Sequence, residues 1–283
     1  MPEDHFIPQF HQRLMMEDGD KWHFYEKARP HKGIQLRRPK TIFKQSNFYS
    51  KTNEQGENDR SVENKLGKLE NLAAPILRSI ISEAHIGKIA NLNQVEHEIL
   101  SIYLIVLRRR TVDAWSENKI LSNFRESIEK YLHEFQVMHG ELKQEVKEYF
   151  LSSEKLTEMR QNMWADGMLS VQGVTLNTFM NMGIGIALTP KNKSFIIGSS
   201  PVVRFENYPK QKLGEPGVEL WVPISKKVAI IPLGKYPATK LIHLDTHKVR
   251  KLNESIYKQS TSIASSSATL LESLIKSKTT VII

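Results

Sequence analysis

Cysteine is absent from the 283 residues, which removes disulfides, thiolate metal sites and cysteine nucleophiles. Long apolar runs are missing too. The longest, Ile99 to Leu107, is broken by Ser101, whereas a membrane-spanning helix needs about 20 such residues. The opening MPEDHFIPQF holds two acids in its first four residues and no apolar stretch, so it does not read as a secretory leader. These absences predict a soluble cytoplasmic protein with no membrane partner. Familiar catalytic signatures are also lacking. There is no P-loop, no HExxH helix and no GxSxG elbow. Gly183-Ile184-Gly185 lacks the third glycine and preceding strand of a dinucleotide fingerprint.

What is present describes a folded chain. Hydrophobic residues make up 40% and charged residues 25%, enough apolar surface for a core without metal or disulfide staples. The net charge of +9 is unevenly placed: +2 over residues 1–60, −1 over 61–165 and +8 over 166–283. A basic C-terminal part is expected to attract nucleic acid, a nucleotide or another acidic partner, or simply to stay solvated.

The patterning is α+β. Residues 1–60 read as an extended arm. It holds a hairpin pairing Trp22–Tyr25 with Ile34–Leu36, and a polar connector from Ser50 to Asp59. A helical block follows over about 61–180. Leu66, Leu69, Leu72, Ala73, Ile76 and Ile80 recur at helical spacing after a Ser61 N-cap, and Pro75 is expected to kink or divide that helix. Asn93 and Glu96 form a capping box before a helix apolar nearly all round, which belongs at the centre of the fold. Further helices are expected over Glu117–His139 and Glu141–Met159. A mainly antiparallel sheet occupies about 184–245. Its strands are Ile184–Leu188, Phe195–Ile197, Val202–Phe205, Val218–Val222, Val228–Ile231 and Leu241–Leu244. C-terminal helices run from Thr246 through the Ser-rich SIASSSATLLESL. The arm (1–60), helical block (61–182) and basic sheet with terminal helices (183–283) are read as one integrated unit.

Several residues carry chemistry. His5, beside Asp4, suits a base or a metal ligand, or a ring that caps a backbone group. Glu63 and Glu70 are two helical turns apart and face the same way. They suit a divalent cation or an acid–base pair, or a solvated stripe. Arg108-Arg109-Arg110 closes the central helix, where the macrodipole accounts for one or two cations. Arg109 or Arg110 is then expected to meet a buried anion. Ser199-Ser200-Pro201 reads as a tight turn, with no nearby histidine to activate a serine.

In order, the chain shows HxxPQF at His5–Phe10, Arg13, Asn47-Phe48-Tyr49, the Glu63/Glu70 helix and an arginine-closed helix. FIIGSSPVV (195–203), LWVPIS (220–225) and Asn253 follow. Over roughly residues 4–265 this resembles the bacterial family catalogued as domain of unknown function 4238. The resemblance points to Arg13, Ser199, Ser200 and Asn253 as substrate-binding candidates beside His5, Glu63, Glu70, Arg109 and Arg110. The family pattern has Asn where Asp4 stands and Asp where Ser199 stands. If that Asp is catalytic, the exchange weakens or removes activity here.

Two functions are weighed. One is a nuclease-like enzyme acting on nucleic acid or a nucleotide, with a divalent cation on Glu63 and Glu70. The family's bacterial setting adds an expectation of defence against phage. The other is a non-catalytic binding or assembly protein, partnered by protein or its own copies, in which the same residues form an internal network.

Overall fold

The computed structural model describes residues 3–16, 21–53, 56–117, 123–206, 211–233 and 239–279. The elements follow the α+β order read from the sequence. The arm carries β1 (Glu3–His5), α1 (Gln9–Met15), β2 (Trp22–Glu26), β3 (Gln35–Arg37), β4 (Lys44–Ser46), β5 (Lys51–Thr52) and β6 (Asn58–Asp59). The hairpin forms as expected, with Phe24 opposite Gln35. Strand β1 pairs with β4 rather than with the hairpin. The connector from Ser50 is ordered at both ends by pairing of β5 with β6. Its Glu54 and Gln55 lie outside the described residues.

The helices are α2 (Ser61–His85), α3 (Gln94–Arg109), α4 (Val112–Glu117), α5 (Phe124–His139), α6 (Gln144–Leu151), α7 (Ser153–Leu169) and α8 (Gly173–Met180). Pro75 does not divide α2. It sits on the exposed face, with Asn71 also exposed four residues earlier, so the carbonyl freed of its partner can meet water. Ser61 is not the N-cap. The Asp59 carboxylate instead accepts from the Ser61 backbone N–H at 2.7 Å and from its hydroxyl at 2.9 Å. The Asn93 capping box is present in both directions. Helix α3 buries Leu100, Ser101 and every residue from Tyr103 to Leu107, packed against α2 and α8. The helix expected over Glu117–His139 exists from Phe124, and 118–122 fall outside the described residues. The one expected over Glu141–Met159 is two helices, broken at Ser152, whose Oγ accepts from Lys155 N–H at 3.2 Å and caps α7.

Two sheets follow. The larger has β9 (Val203–Glu206), β10 (Val218–Pro223), β11 (Val228–Leu233), β7 (Gly183–Leu188) and β12 (Lys240–His243), in the order β12-β7-β11-β10-β9. It is antiparallel except where β12 joins β7 in parallel. Strands β7 and β11 bury five of six residues in succession, which is why they appear as unbroken apolar runs.

The smaller sheet runs β3-β2-β13-β8, with β8 at Ile197–Gly198. Strand β13 (Ser262–Ser265) corrects the helical reading of SIASSSATLLESL. Only its second half is helical, α10 (Ala268–Thr279), while α9 (Thr246–Gln259) ends before it. All four β13 residues are buried between β2 and β8, and tertiary burial overrides the weak local helical period. This strand joins the two ends of the chain, because its neighbour β2 belongs to the arm.

Helix α9 crosses β8 closely. A Cβ added at Gly198 would stand 2.1 Å from Ser260 Oγ and 2.8 Å from Ile256 Cγ2. The Gly198→Ala change should cost about 1–3 kcal/mol by overpacking. Thermal denaturation checks this, and an unchanged melting temperature would show that α9 can move away.

Candidate functional site around Arg110

Pro8 fixes the turn from β1 into α1 and precedes the helix as its N-cap residue. The arm therefore delivers His5 from a strand end toward the close of α3. Arg110, the C-cap residue of α3, is only 2% exposed. Its guanidinium donates to Glu70 Oε1 at 2.6 Å, to the Tyr49 hydroxyl at 3.1 Å and to the His5 carbonyl at 2.8 Å. It also lies 5.2 Å from the centre of the Tyr49 ring. The Tyr49 hydroxyl donates to the Arg110 carbonyl at 2.8 Å. Burial works against the Arg110 charge, but Tyr49 and Glu70 more than offset it and hold the group firmly protonated. Burial likewise pushes the Tyr49 hydroxyl far above its usual range.

Asp4 closes the other side. It is fully buried and accepts from the Tyr49 backbone N–H at 3.0 Å and from Arg60 at 3.1 Å. The expectation for this position was an asparagine. The aspartate uses its charge to bind Arg60, whose side chain is 44% exposed and is the solvent-facing cation of the group.

Glu63 and His5 are less satisfied. The Glu63 carboxyl is raised by burial, with Asp4 and Glu70 adding to the shift and Arg110 opposing it. Its Oε2 is buried without a hydrogen-bond partner. The His5 ring is lowered by burial. Its Nδ1 accepts from the Gln9 amide at 3.4 Å, so the neutral ring carries its proton on Nε2, which is buried without a hydrogen-bond partner. These shifts make the imidazole harder to protonate than a free histidine and the Glu63 carboxyl harder to ionise than a free glutamate. A ring N–H and a carboxyl that is hard to ionise thus belong to the group around one buried guanidinium.

The structure brings His5, Glu63, Glu70 and Arg110 into one group and leaves others elsewhere. Arg109 points away and donates to the Ser170 carbonyl at 2.6 Å; one residue along a helix is about 100° of rotation. Arg13 is exposed and reaches the group only through Gln9, to whose Oε1 it donates at 3.2 Å. Asn253 is buried, bonded to the Ile196 N–H and the Ser194 carbonyl. Ser200 binds Ser260 through its backbone N–H. Ser199 is no exposed turn hydroxyl. Its Oγ donates to the Asp113 carboxylate and accepts from the N–H groups of Thr261 and Ser262. None of the hydrogen bonds of Ser199, Ser200 or Asn253 reaches the Arg110 group, and their partners identify them as ties between β8, β13, α4 and α9. The carboxylate expected at position 199 is supplied in space by Asp113.

The metal role expected of Glu63 and Glu70 does not fit. Glu70 is bound to Arg110, whose fixed charge would repel a cation. Among the described residues no three His, Asp or Glu side chains are grouped to hold a metal ion. Sequence reasoning passed over Tyr49 and Arg60 as site residues. Tyr49 was visible only as part of Asn47-Phe48-Tyr49, and Arg60 had no signal beyond its spacing of three from Glu63.

The model of the family described as Protein of unknown function (DUF4238) matches residues 3–269, from β1 into α10. The chain belongs to this family. No curated protein and no solved structure matches it. The family match takes in every residue of the Arg110 group as well as the β8–β13 junction.

Two outcomes test the geometry. Arg110→Met strands Glu70 and should cost about 3–5 kcal/mol. Arg109→Met, which removes a partly exposed bond, should cost about 1 kcal/mol. Chemical denaturation measures both, and equal losses would refute the assigned roles. His11 supplies a pH signature. It is fully buried, its Nε2–H donates to the Pro223 carbonyl at 2.8 Å, and its Nδ1 accepts from Tyr103 at 2.8 Å. Burial lowers its pKa from 6.5 to about 4. Between these values the unfolded chain binds the proton and the folded one does not. Stability should therefore fall as pH drops through that window, by up to about 1.4 kcal/mol per unit. His11→Gln should flatten that limb of the stability–pH curve.

Proposed function

We propose that this protein is an enzyme acting on the phosphodiester of a nucleotide or nucleic acid. The observation that carries the reading is the pair of buried, unpartnered polar atoms, Glu63 Oε2 and His5 Nε2, in the group built on Arg110. Structural networks tend to satisfy such atoms, and exceptions concentrate where a ligand is handled. Glu63, harder to ionise than a free glutamate, serves as general acid toward the leaving oxygen when it carries its proton. Neutral His5, its Nδ1 already accepting from Gln9, offers Nε2–H to a phosphate oxygen, and the attacking hydroxyl or water releases its proton to solvent. Arg60, the exposed cation, meets the phosphate first, and Arg110 holds the frame. A patch of lysines supports attraction of a polyanion. Lys227 Nζ donates to the carbonyls of Lys191 and Lys193 at 2.7 and 2.5 Å, which gathers these residues with Lys226 between β7 and the β10–β11 turn. Defence against phage belongs to the same proposal, on the strength of the family's bacterial setting.

The test is hydrolysis of oligonucleotides and of bis(p-nitrophenyl) phosphate. His5→Ala and Glu63→Gln should each lower the rate by about 10²–10⁴. Wild-type rates in both variants, or no turnover by the native chain, would sink the proposal.

The second reading, a non-catalytic binding or assembly protein, is favoured by the full set of bonds on Arg110. Glu63→Ala separates the two. As a structural partner Glu63 loses several kcal/mol on removal. As an unpartnered acid held for chemistry it costs little or stabilises.

A further inference from the structure

The helix pair α5–α6 leaves much apolar surface uncovered. Of the sixteen α5 residues only Phe124 is buried, and the main contacts of α5 are with α6 and α7. Its outward face shows Tyr131 at 68%, Phe135 at 46% and Met138 at 69% exposure. These residues are spaced by four and three, the seam period of a helix that packs against another helix. Tyr149 of α6 and Met163 of α7 add exposed apolar surface beside it. Beside it a groove of about 630 Å³ runs between α5 and α7, walled by Phe124, Ile128, Tyr131, Met159 and Met163.

We propose that this face pairs with the same face of a second copy, as a two-fold dimer with the α5 helices antiparallel. Charge selects the occupant. Lys130 and Glu134 line the groove as an intrahelical pair at 3.7 Å, and Arg125 pairs with Glu129 at 3.0 Å. With two bases and three acids α5 is close to neutral, so two copies repel little. A two-fold axis near residue 133 turns Tyr131 onto Phe135 of the other copy. It also brings each Lys130 toward the other copy's Glu134, so the pair is its own complement. Area agrees with this occupant. From their exposures the outward residues offer roughly 600 Å² of apolar surface per copy, near the ~800 Å² per partner of a standard interface.

Sedimentation or light scattering over a concentration series tests this, with circular dichroism to show that the variants keep their helices. The native chain should show a concentration-dependent dimer. Phe135→Glu, at an exposed position, should give a monomer of unchanged helicity. Lys130→Glu and Glu134→Lys should each weaken the dimer by about tenfold, and the double exchange should restore it. A native monomer at every concentration, a dimer indifferent to Phe135→Glu, or a double exchange no better than either single one would overturn the proposal. So would a monomer that takes up a basic amphipathic peptide on this face instead.

Discussion

A guanidinium removed from water must be surrounded by partners, and Arg110 imposes that demand on the whole arm. Its desolvation is costly. The chain meets it with a carboxylate from α2, a hydroxyl from the β4–β5 loop and a carbonyl from β1. Three segments distant in sequence are thereby placed relative to the end of the central helix. The His5 ring stands where it does because the carbonyl of the same residue is one of those partners. The ring proposed to meet the phosphate is positioned by backbone rather than by a flexible side-chain contact, which is how a precise site is built on a short strand.

The arm needs such ties because it has little regular structure of its own. Strand β1 pairs only with β4, and α1 is two turns long. Two further locks act in parallel. His11 connects α1 to Tyr103 of α3 and to the last residue of β10. Its fixed acceptor, the Pro223 carbonyl, forces the proton onto Nε2 and leaves Nδ1 to receive the Tyr103 hydroxyl. Strand β2 is held by β13, so the smaller sheet cannot form until both ends of the chain are present. The arm therefore contributes Asp4, His5 and Tyr49 to the candidate site and one side of a sheet.

Legibility in the sequence followed the range of the interaction. Local signals read directly. The Asn93–Glu96 box is two hydrogen bonds within four residues. The apolar runs of β7 and β11 mark burial on both faces. The Glu63 and Glu70 spacing announced a shared helix face, and a run of three arginines announced one cation too many for the helix dipole. Which arginine turned inward depended on the phase of α3 against α2, and that is a tertiary fact. Strand β13 was hidden for the opposite reason. Its serines carry weak local preference, and only the neighbours β2 and β8 make the extended form favourable. Ser199 looked like a turn because its partners, Asp113 and the Thr261–Ser262 backbone, are far away in the chain.

Charge counting gives the candidate site its internal logic. Asp4 is matched by Arg60 and Glu70 by Arg110, which leaves Glu63 as the odd carboxylate. Ionised, it would add an unmatched negative charge to a buried group that already holds two anions. Burial and those same anions therefore make it harder to ionise than a free glutamate. A metal ion would answer the excess differently, but two guanidinium groups already occupy that electrostatic role. The approach of a phosphate would raise the affinity of Glu63 for its proton further, until a departing oxygen accumulates enough charge to take it. The feature that balances the resting group is thus the one on which the proposed general acid draws.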